Sequence, residues 1–415
     1  MKQYRTVYHG AGKSAWLWKL LLCLLSAWLT SAGPTVAKAA GLLPIDRVET
    51  TIDEPRAFDW IAIEPAAYPL LVINIVIDGT TIPALLDSRS SYTMIDKTTA
   101  EDLAMQPRLA GKVASIDGGA DLYVADCKSL DIGAIRQTGG SIAVLDLRDL
   151  RRATGDVFAA VIGSDVLGRF ALQVDWDHDR FRLLPSGKAS LGGSTISLEF
   201  DETTHQLATS LSVNGLSLGT VAVDTGADGT LTIAKSLVPR LAVSPDKVTD
   251  RMVMGISGSV VNDYFRAQEV RFGELRFANM PTNAGEVSDP GFPAADAQIE
   301  MEFLSQFNFV MDAPAGHIEV MPRAQPAPPL QKSTSGVQGS YRTGSLVINH
   351  VMRNSPAALA GLKDGDQVCA VNGQAVDASW ESGQQRAWSV GAPGSEISLS
   401  LCSGNAVSFT LADFY

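Results

Sequence analysis

The sequence predicts a mainly β protein in which one unit is used twice, followed by a small module of β-strands with short helices. Three observations carry that prediction. Segments at both ends of the unit recur at one fixed offset. Short β-type runs bounded by turn residues fill each copy. A Pro-, Ser- and Gln-rich stretch, 324–338, then separates residues 339–415 as a distinct module.

The repeat comes first because everything else depends on it. VIGSDVLGRFALQVDWDHDRFRLLP (161–185) is echoed by QIEMEFLSQFNFVMDAPAGHIEVMP (298–322), so that Leu167 answers Leu304 and Asp175 answers Asp312 (304 − 167 = 137). Upstream, PALLDSRSSYTMID (83–96) is echoed by TVAVDTGADGTLTIA (220–234), and 224 − 87 is again 137. Each copy opens with strand-like runs, YPLLVINIVIDG and TIPALLD in one, LATSLSVNG and GTVAVD in the other. Asp78-Gly79 and Asn214-Gly215 are dipeptides that favour tight hairpins. A short helix is expected after each aspartate loop (KTTAEDLAM; AKSLVPRLAV), then a glycine-rich stretch with Gly118 and Gly119 in the first copy and Gly255 and Gly258 in the second. Residues 60–190 form the first half and 191–323 the second. Asp175 and Asp312 read as hairpin structure.

At 415 residues the chain has room for two or three domains, and 46% hydrophobic against 19% charged residues can fill sizeable cores. A net charge of −12 argues against nucleic acid as a partner. Residues 1–39 read as an export signal: Lys2, Arg5 and Lys13 precede the apolar run LLLCLLSAWL, and Ala37-Lys38-Ala39 offers a small-residue cleavage site. A signal anchor is the alternative. The expected location is the periplasm or the outside of the cell. Beyond the signal only Cys127, Cys369 and Cys402 remain, too few for a disulfide framework. Cys369 and Cys402 lie on runs that are candidates for neighbouring strands, which leaves a bridge between them open. Five scattered histidines give no metal-ligand spacing, and no G-x-S-x-G elbow is present. No cofactor or metal is expected.

A hydrolase without metal or nucleophilic side chain can use two carboxylates held so close that they share one proton. The repeat offers such a pair in Asp87 and Asp224, one per unit. Val223-Asp224-Thr225-Gly226-Ala227 resembles the active-site loop of retropepsin-like aspartic peptidases, and Val161-Ile162-Gly163 resembles the hydrophobic-hydrophobic-glycine element beneath that loop. The resemblance covers roughly residues 60–323. It implies a bilobal acid-protease fold, catalytic roles for Asp224 and Asp87, bracing by Thr225 and Ser88 across a pseudo-twofold, and close backbone approach at Gly226, with Ala227 completing that active-site loop. It also places Gly118, Gly119, Gly255 and Gly258 in the hairpin flaps that close over substrate. The sequence departs from the pattern twice: Arg89 stands where the family has glycine in the first loop, and Ile299-Glu300 replaces the expected Ile-Gly. A cation beside the pair favours the doubly ionised state over the shared proton. Two functions are therefore carried forward, an exported aspartic endopeptidase acting on protein or peptide and a catalytically silent peptide-binding scaffold descended from one.

In the last module, Ser355-Pro356-Ala357-Ala358, Ala360-Gly361-Leu362, Gly365-Asp366 and Val371-Asn372-Gly373 resemble the recurring elements of a bacterial-type PDZ domain. Such domains add a peptide as an extra strand. The resemblance implies a peptide partner and makes Tyr341, Leu346 and Ile348 candidate groove residues.

Overall fold

The computed structural model describes residues 49–64, 69–115, 118–155, 157–254, 259–287, 294–380 and 384–415. The proposed signal segment lies outside them.

The two halves build sheets whose strands follow the same order. In the first, the run is Val72–Ile77, Thr80–Leu86, Ala160–Ile162, Met94–Asp96, Ser141–Leu145, Gly118–Asp126 and Arg108–Ser115. In the second it is Gln206–Val213, Leu216–Val223, Ala297–Ile299, Leu231–Ala234, Leu275–Gly285, Ser259–Phe272 and Thr249–Met254. Both contain the same unusual parallel pairing, Ala84, Leu85 and Leu86 with Ala160, Val161 and Ile162, answered by Val221, Ala222 and Val223 with Ala297, Gln298 and Ile299. Strands paired in this way are covered on both faces and so read as continuous apolar runs, which is why PALLD and TVAVD stand out in the sequence. Asp78 and Gly79 (φ 49° and 86°) and Asn214 and Gly215 (φ 47° and 83°) make the left-handed pairs that tight hairpins need. The helix expected after the first loop is Lys97–Asp102, capped by Asp96 accepting from Thr99 N (3.2 Å). Its counterpart Lys235–Arg240 is a 3₁₀ turn with Pro239 inside it, since proline denies an α-helix one hydrogen bond.

A third, six-stranded antiparallel sheet joins the halves, in the order Ser194–Ser197, His317–Pro322, Phe307–Asp312, Ala171–Asp175, Arg180–Leu184 and Ile61–Ala62. At its centre Gln173 pairs with Val310, its own repeat mate (310 − 173 = 137), so the pseudo-twofold passes through that pair. Asp312 accepts from Ser186 Oγ (2.7 Å) and Gly187 N (2.8 Å), and Asp175 from Arg180 Nε (2.8 Å). One apolar cluster, including Leu86, Ile162, Phe181, Val223, Phe265 and Phe307, runs through both halves.

The C-terminal unit has its own core around Ile348, Val368, Leu399 and Leu411. Its strands lie in the order Val337–Arg342, Ser345–Val351, Gln367–Val371, Glu396–Leu401 and Ala406–Thr410. The first strand starts inside the segment expected as linker, and Thr334 and Ser335 are already buried, both donating to Ser389 O. Helix Pro356–Leu359 begins at a proline, with Ser355 Oγ accepting from Ala358 N (3.2 Å). Cys369, in the strand Gln367–Val371, forms a disulfide with Cys402, just past the end of the neighbouring strand Glu396–Leu401, and Cys127 is a buried free thiol.

Candidate active site

Each aspartate ends an apolar strand and is tied to the parallel strand beside it. Asp87 N donates to Ile162 O and Asp224 N to Ile299 O, both at 2.9 Å. Beyond the aspartates the two loops interlock. Ser88 N donates to Thr225 Oγ1 (2.9 Å), and Thr225 N donates to Ser88 Oγ (3.1 Å). The hydroxyls then reach across to the opposite strand ends: Ser88 Oγ donates to Val223 O (2.6 Å) and Thr225 Oγ1 to Leu86 O (2.8 Å). All four groups are buried, where an unmade hydrogen bond is costly. Serine thus serves for threonine because only the hydroxyl and backbone amide enter the exchange.

Within each loop the carboxylate accepts two backbone amides. Asp87 Oδ1 takes those of Arg89 (2.8 Å) and Ser90 (3.0 Å), and Asp224 Oδ1 those of Gly226 (2.8 Å) and Ala227 (3.0 Å). A Cβ on residue 226 would stand 2.7 and 2.6 Å from the two carboxyl oxygens of Asp87. Glycine is required there because the opposing carboxyl packs on its backbone. Burial raises the carboxyl pKa of both aspartates, and the negative charge of Asp87 lifts that of Asp224 further. Both carboxyls are therefore harder to ionise than an exposed aspartate, Asp224 the more so.

Arg89 occupies the place of Gly226 in the first loop (226 − 89 = 137), and its guanidinium turns toward the second half. It donates to Gln206 Oε1 and to Val287 O (3.1 Å), while Gln206 Nε2 returns a bond to Arg89 O (3.2 Å). Its charge still pulls the carboxyl pKa of both aspartates downward, against burial.

The second departure also has a structural reason. A Cβ on Gly163 would stand 2.7 Å from Tyr92 O and 2.8 Å from Ser90 O, so the first half admits only glycine there. In the second half the positions equivalent to Gly163 and Tyr92 are Glu300 and Gly229, and the Glu300 carboxyl fills the room left by Gly229. Bulk and glycine have exchanged places. Glu300 is buried and accepts from Thr232 Oγ1 (2.6 Å) and Gln298 Nε2 (3.3 Å). Gln298 Nε2 also donates to Asp224 Oδ2 (2.8 Å). Burial pushes the Glu300 carboxyl up to about 7. Sequence reasoning missed Gln298 and Gln206. For Gln298 the signal was present, because its repeat mate is the apolar Val161 (298 − 137 = 161).

Of the expected flap glycines, Gly118 and Gly119 open the return strand of the hairpin Arg108–Ser115 with Gly118–Asp126, paired with Ser115 and Ala114. Gly255 and Gly258 lie outside the described residues. In the C-terminal unit Tyr341 is half-buried on the edge strand, whereas Leu346 and Ile348 are 5% and 1% exposed in the core, one strand inward. The resemblance to PDZ domains made them candidate groove residues, but their face is covered by the unit's own core. Among the described residues no group of three or more His, Cys, Asp or Glu side chains is arranged to hold a metal ion.

A family model described as aspartyl protease matches residues 73–166 and 209–293, and a PDZ domain model matches residues 334–408. No curated protein matches the chain. Among solved structures, basic 7S globulin from soybean is 9% identical, with 63% of this chain and 93% of that one covered at a TM-score of 0.37. Two segments of the chain are thus similar to the aspartyl protease family, and its C-terminal segment is similar to PDZ domains.

Proposed function

We propose that the protein is an exported aspartic endopeptidase that hydrolyses peptide bonds through Asp87 and Asp224, with the PDZ domain recruiting protein or peptide. The observation that carries this reading is the reciprocal exchange between Ser88 and Thr225, which locks the two aspartate loops together across the pseudo-twofold. One carboxylate takes a proton from water as its oxygen attacks the scissile carbonyl carbon, and the other gives the shared proton to the carbonyl oxygen. The tetrahedral intermediate collapses with a proton passed to the leaving amine. The proposed signal at residues 1–39 and the Cys369–Cys402 disulfide support export to an oxidising compartment. Peptide would add along the edge strand Val337–Arg342.

Arg89 favours a second reading, a scaffold that binds peptide without cutting it, because a cation beside the pair weakens the shared-proton state. The deciding experiment is cleavage of a denatured protein mixture between about pH 3 and pH 7, the range in which a carboxyl pair holds one proton. Cleavage abolished in both Asp87→Asn and Asp224→Asn and blocked by a statine-type transition-state mimic supports the peptidase. Binding of the mimic without cleavage supports the scaffold.

A further inference from the structure

Asp87 and Asp224 are not equivalent. Each accepts two amides from its own loop on Oδ1, and Asp224 also receives a side-chain donor on its outer oxygen, Oδ2, from Gln298 at 2.8 Å. The same amide nitrogen reaches Glu300 Oε1 at 3.3 Å, and Thr232 Oγ1 fixes that oxygen at 2.6 Å. The matching residues of the first half are Val161, Gly163 and Ile95, which carry no polar side-chain atom (298, 300 and 232 less 137). The chain Thr232–Glu300–Gln298–Asp224 is thus an addition to one half, and the glycine at 229 makes space for it.

We infer that Glu300 is a positioning residue for the aspartate pair, acting through Gln298 on the outer oxygen of Asp224 and coupling the pair's last proton to its own carboxyl. This rests on the peptidase reading of the site. Gln298 has one nitrogen to share between two carboxyls, so holding Glu300 in place holds Asp224 in place. Charge follows the same route. Around Glu300 stand Asp224 and Asp228 on the second aspartate loop and Arg251 on the strand Thr249–Met254, with Glu302 also facing Arg251. Arg251 opposes the acids, and its own guanidinium is held over the Tyr264 ring, 5.5 Å from the centroid. When Glu300 ionises, its negative charge resists removal of the pair's remaining proton, and the shared-proton state survives to higher pH.

Two measurements test this. Glu300→Gln keeps the size and the acceptor oxygen but loses the ionisable proton. Its kcat/KM profile should lose its alkaline limb earlier, by about half a pH unit or more. Gln298→Val, which copies the first half, should lower kcat at every pH because Asp224 is no longer held from outside. A merely structural Glu300 would lower activity evenly and leave the limb where it was, and that result overturns the proposal. The second measurement needs no turnover. In protein carrying carboxyl-labelled glutamate, the resonance absent from Glu300→Gln is that of Glu300, and its titration midpoint should fall in Asp224→Asn, where the pair's negative charge is confined to Asp87 and no longer sits on the carboxyl that Gln298 ties to Glu300. An unmoved midpoint refutes the coupling even if the protein proves to be a scaffold. An inactive wild type with a shifted midpoint refutes only the peptidase.

Discussion

His350 Nε2 and Asp250 Oδ1 lie 2.9 Å apart, across the contact between the PDZ unit and the outer hairpin of the second protease half. The imidazole is 8% exposed and has Asp364 on its other nitrogen at 3.3 Å. Around it Gln338 bonds both the amide and the carbonyl of Met252 (2.8 and 3.0 Å), and Arg353 Nη2 reaches Thr249 O and Asp263 Oδ1. Tyr264, Met352 and Tyr415 close an apolar cluster beside these bonds. Thr249–Met254 is the last strand of its sheet, and edge strands left bare expose unpaired amides and carbonyls. Here the PDZ side chains supply partners for that edge.

Removing those partners should loosen the hairpin. His350→Ala removes the ring contact from Asp250 Oδ1 and leaves it the Arg353 amide, a loss of roughly 0.5–1.5 kcal/mol. Amide exchange in Thr249–Met254 should quicken by up to about tenfold, while Val72–Ile77 in the first half stays as in wild type. Equal protection of Thr249–Met254 in both proteins would show that the PDZ unit does not brace the hairpin.

The interlock between the loops makes a sharper prediction. Thr225→Val is nearly isosteric but deprives Ser88 N of its acceptor and Leu86 O of its donor, both buried. It should cost about 2–4 kcal/mol in denaturant melts, whereas Thr225→Ser, which keeps the hydroxyl, should cost less than about 1.5 kcal/mol. If valine and serine variants melt alike, the hydroxyl exchange does not hold the loops.

Glu300 links stability to pH. Its folded carboxyl is raised to about 7 from an ordinary value of 4.5. A raised acid favours the folded state fully below its unfolded value, and that favour is lost as pH climbs through the folded value. Between about pH 4.5 and 7 wild type should therefore lose roughly 3 kcal/mol that Glu300→Gln does not lose. Urea melts at both ends of that window measure the difference. Parallel slopes for the two proteins would mean that Glu300 ionises normally in the folded chain.

The fold was legible because duplication writes the same pattern twice. The parallel strands ending at Leu86 and Val223, the hairpins joined at Gln173 and Val310, and the I′ turns at Asp78 and Asn214 all follow from apolar runs and turn residues at one offset. The aspartates were legible for the same reason. Gln298, Gln206 and His350 were not, because each is a polar residue whose meaning depends on a distant partner: Asp224 lies 74 residues from Gln298, Arg89 117 from Gln206, and Asp250 100 from His350. Local periodicity carries no record of such pairs. Leu346 and Ile348 misled in the opposite sense, since a resemblance places a strand near a groove without saying which of its side chains the protein's own core covers.

Arg89 sets the last prediction. Its guanidinium is held by Gln206 and Val287 O rather than left to swing, so its charge has a fixed position beside the loop that carries Asp87. From there it favours the ionised form of both aspartates, opposing burial and, at Asp224, the repulsion from Asp87. Taking the cation away raises both macroscopic pKa values of the pair, and the singly protonated window, on which the proposed peptidase depends, moves to higher pH. Arg89→Gly should therefore shift the activity optimum upward by about half a unit or more, and raise activity measured near pH 6. Arg89→Lys keeps the charge and should leave the optimum within a few tenths of a unit of wild type, although lysine cannot copy the paired contacts to Gln206 and Val287. An Arg89→Gly protein that is folded by circular dichroism, yet has its optimum unmoved or displaced to lower pH, would show that the arginine does not govern the proton shared by Asp87 and Asp224.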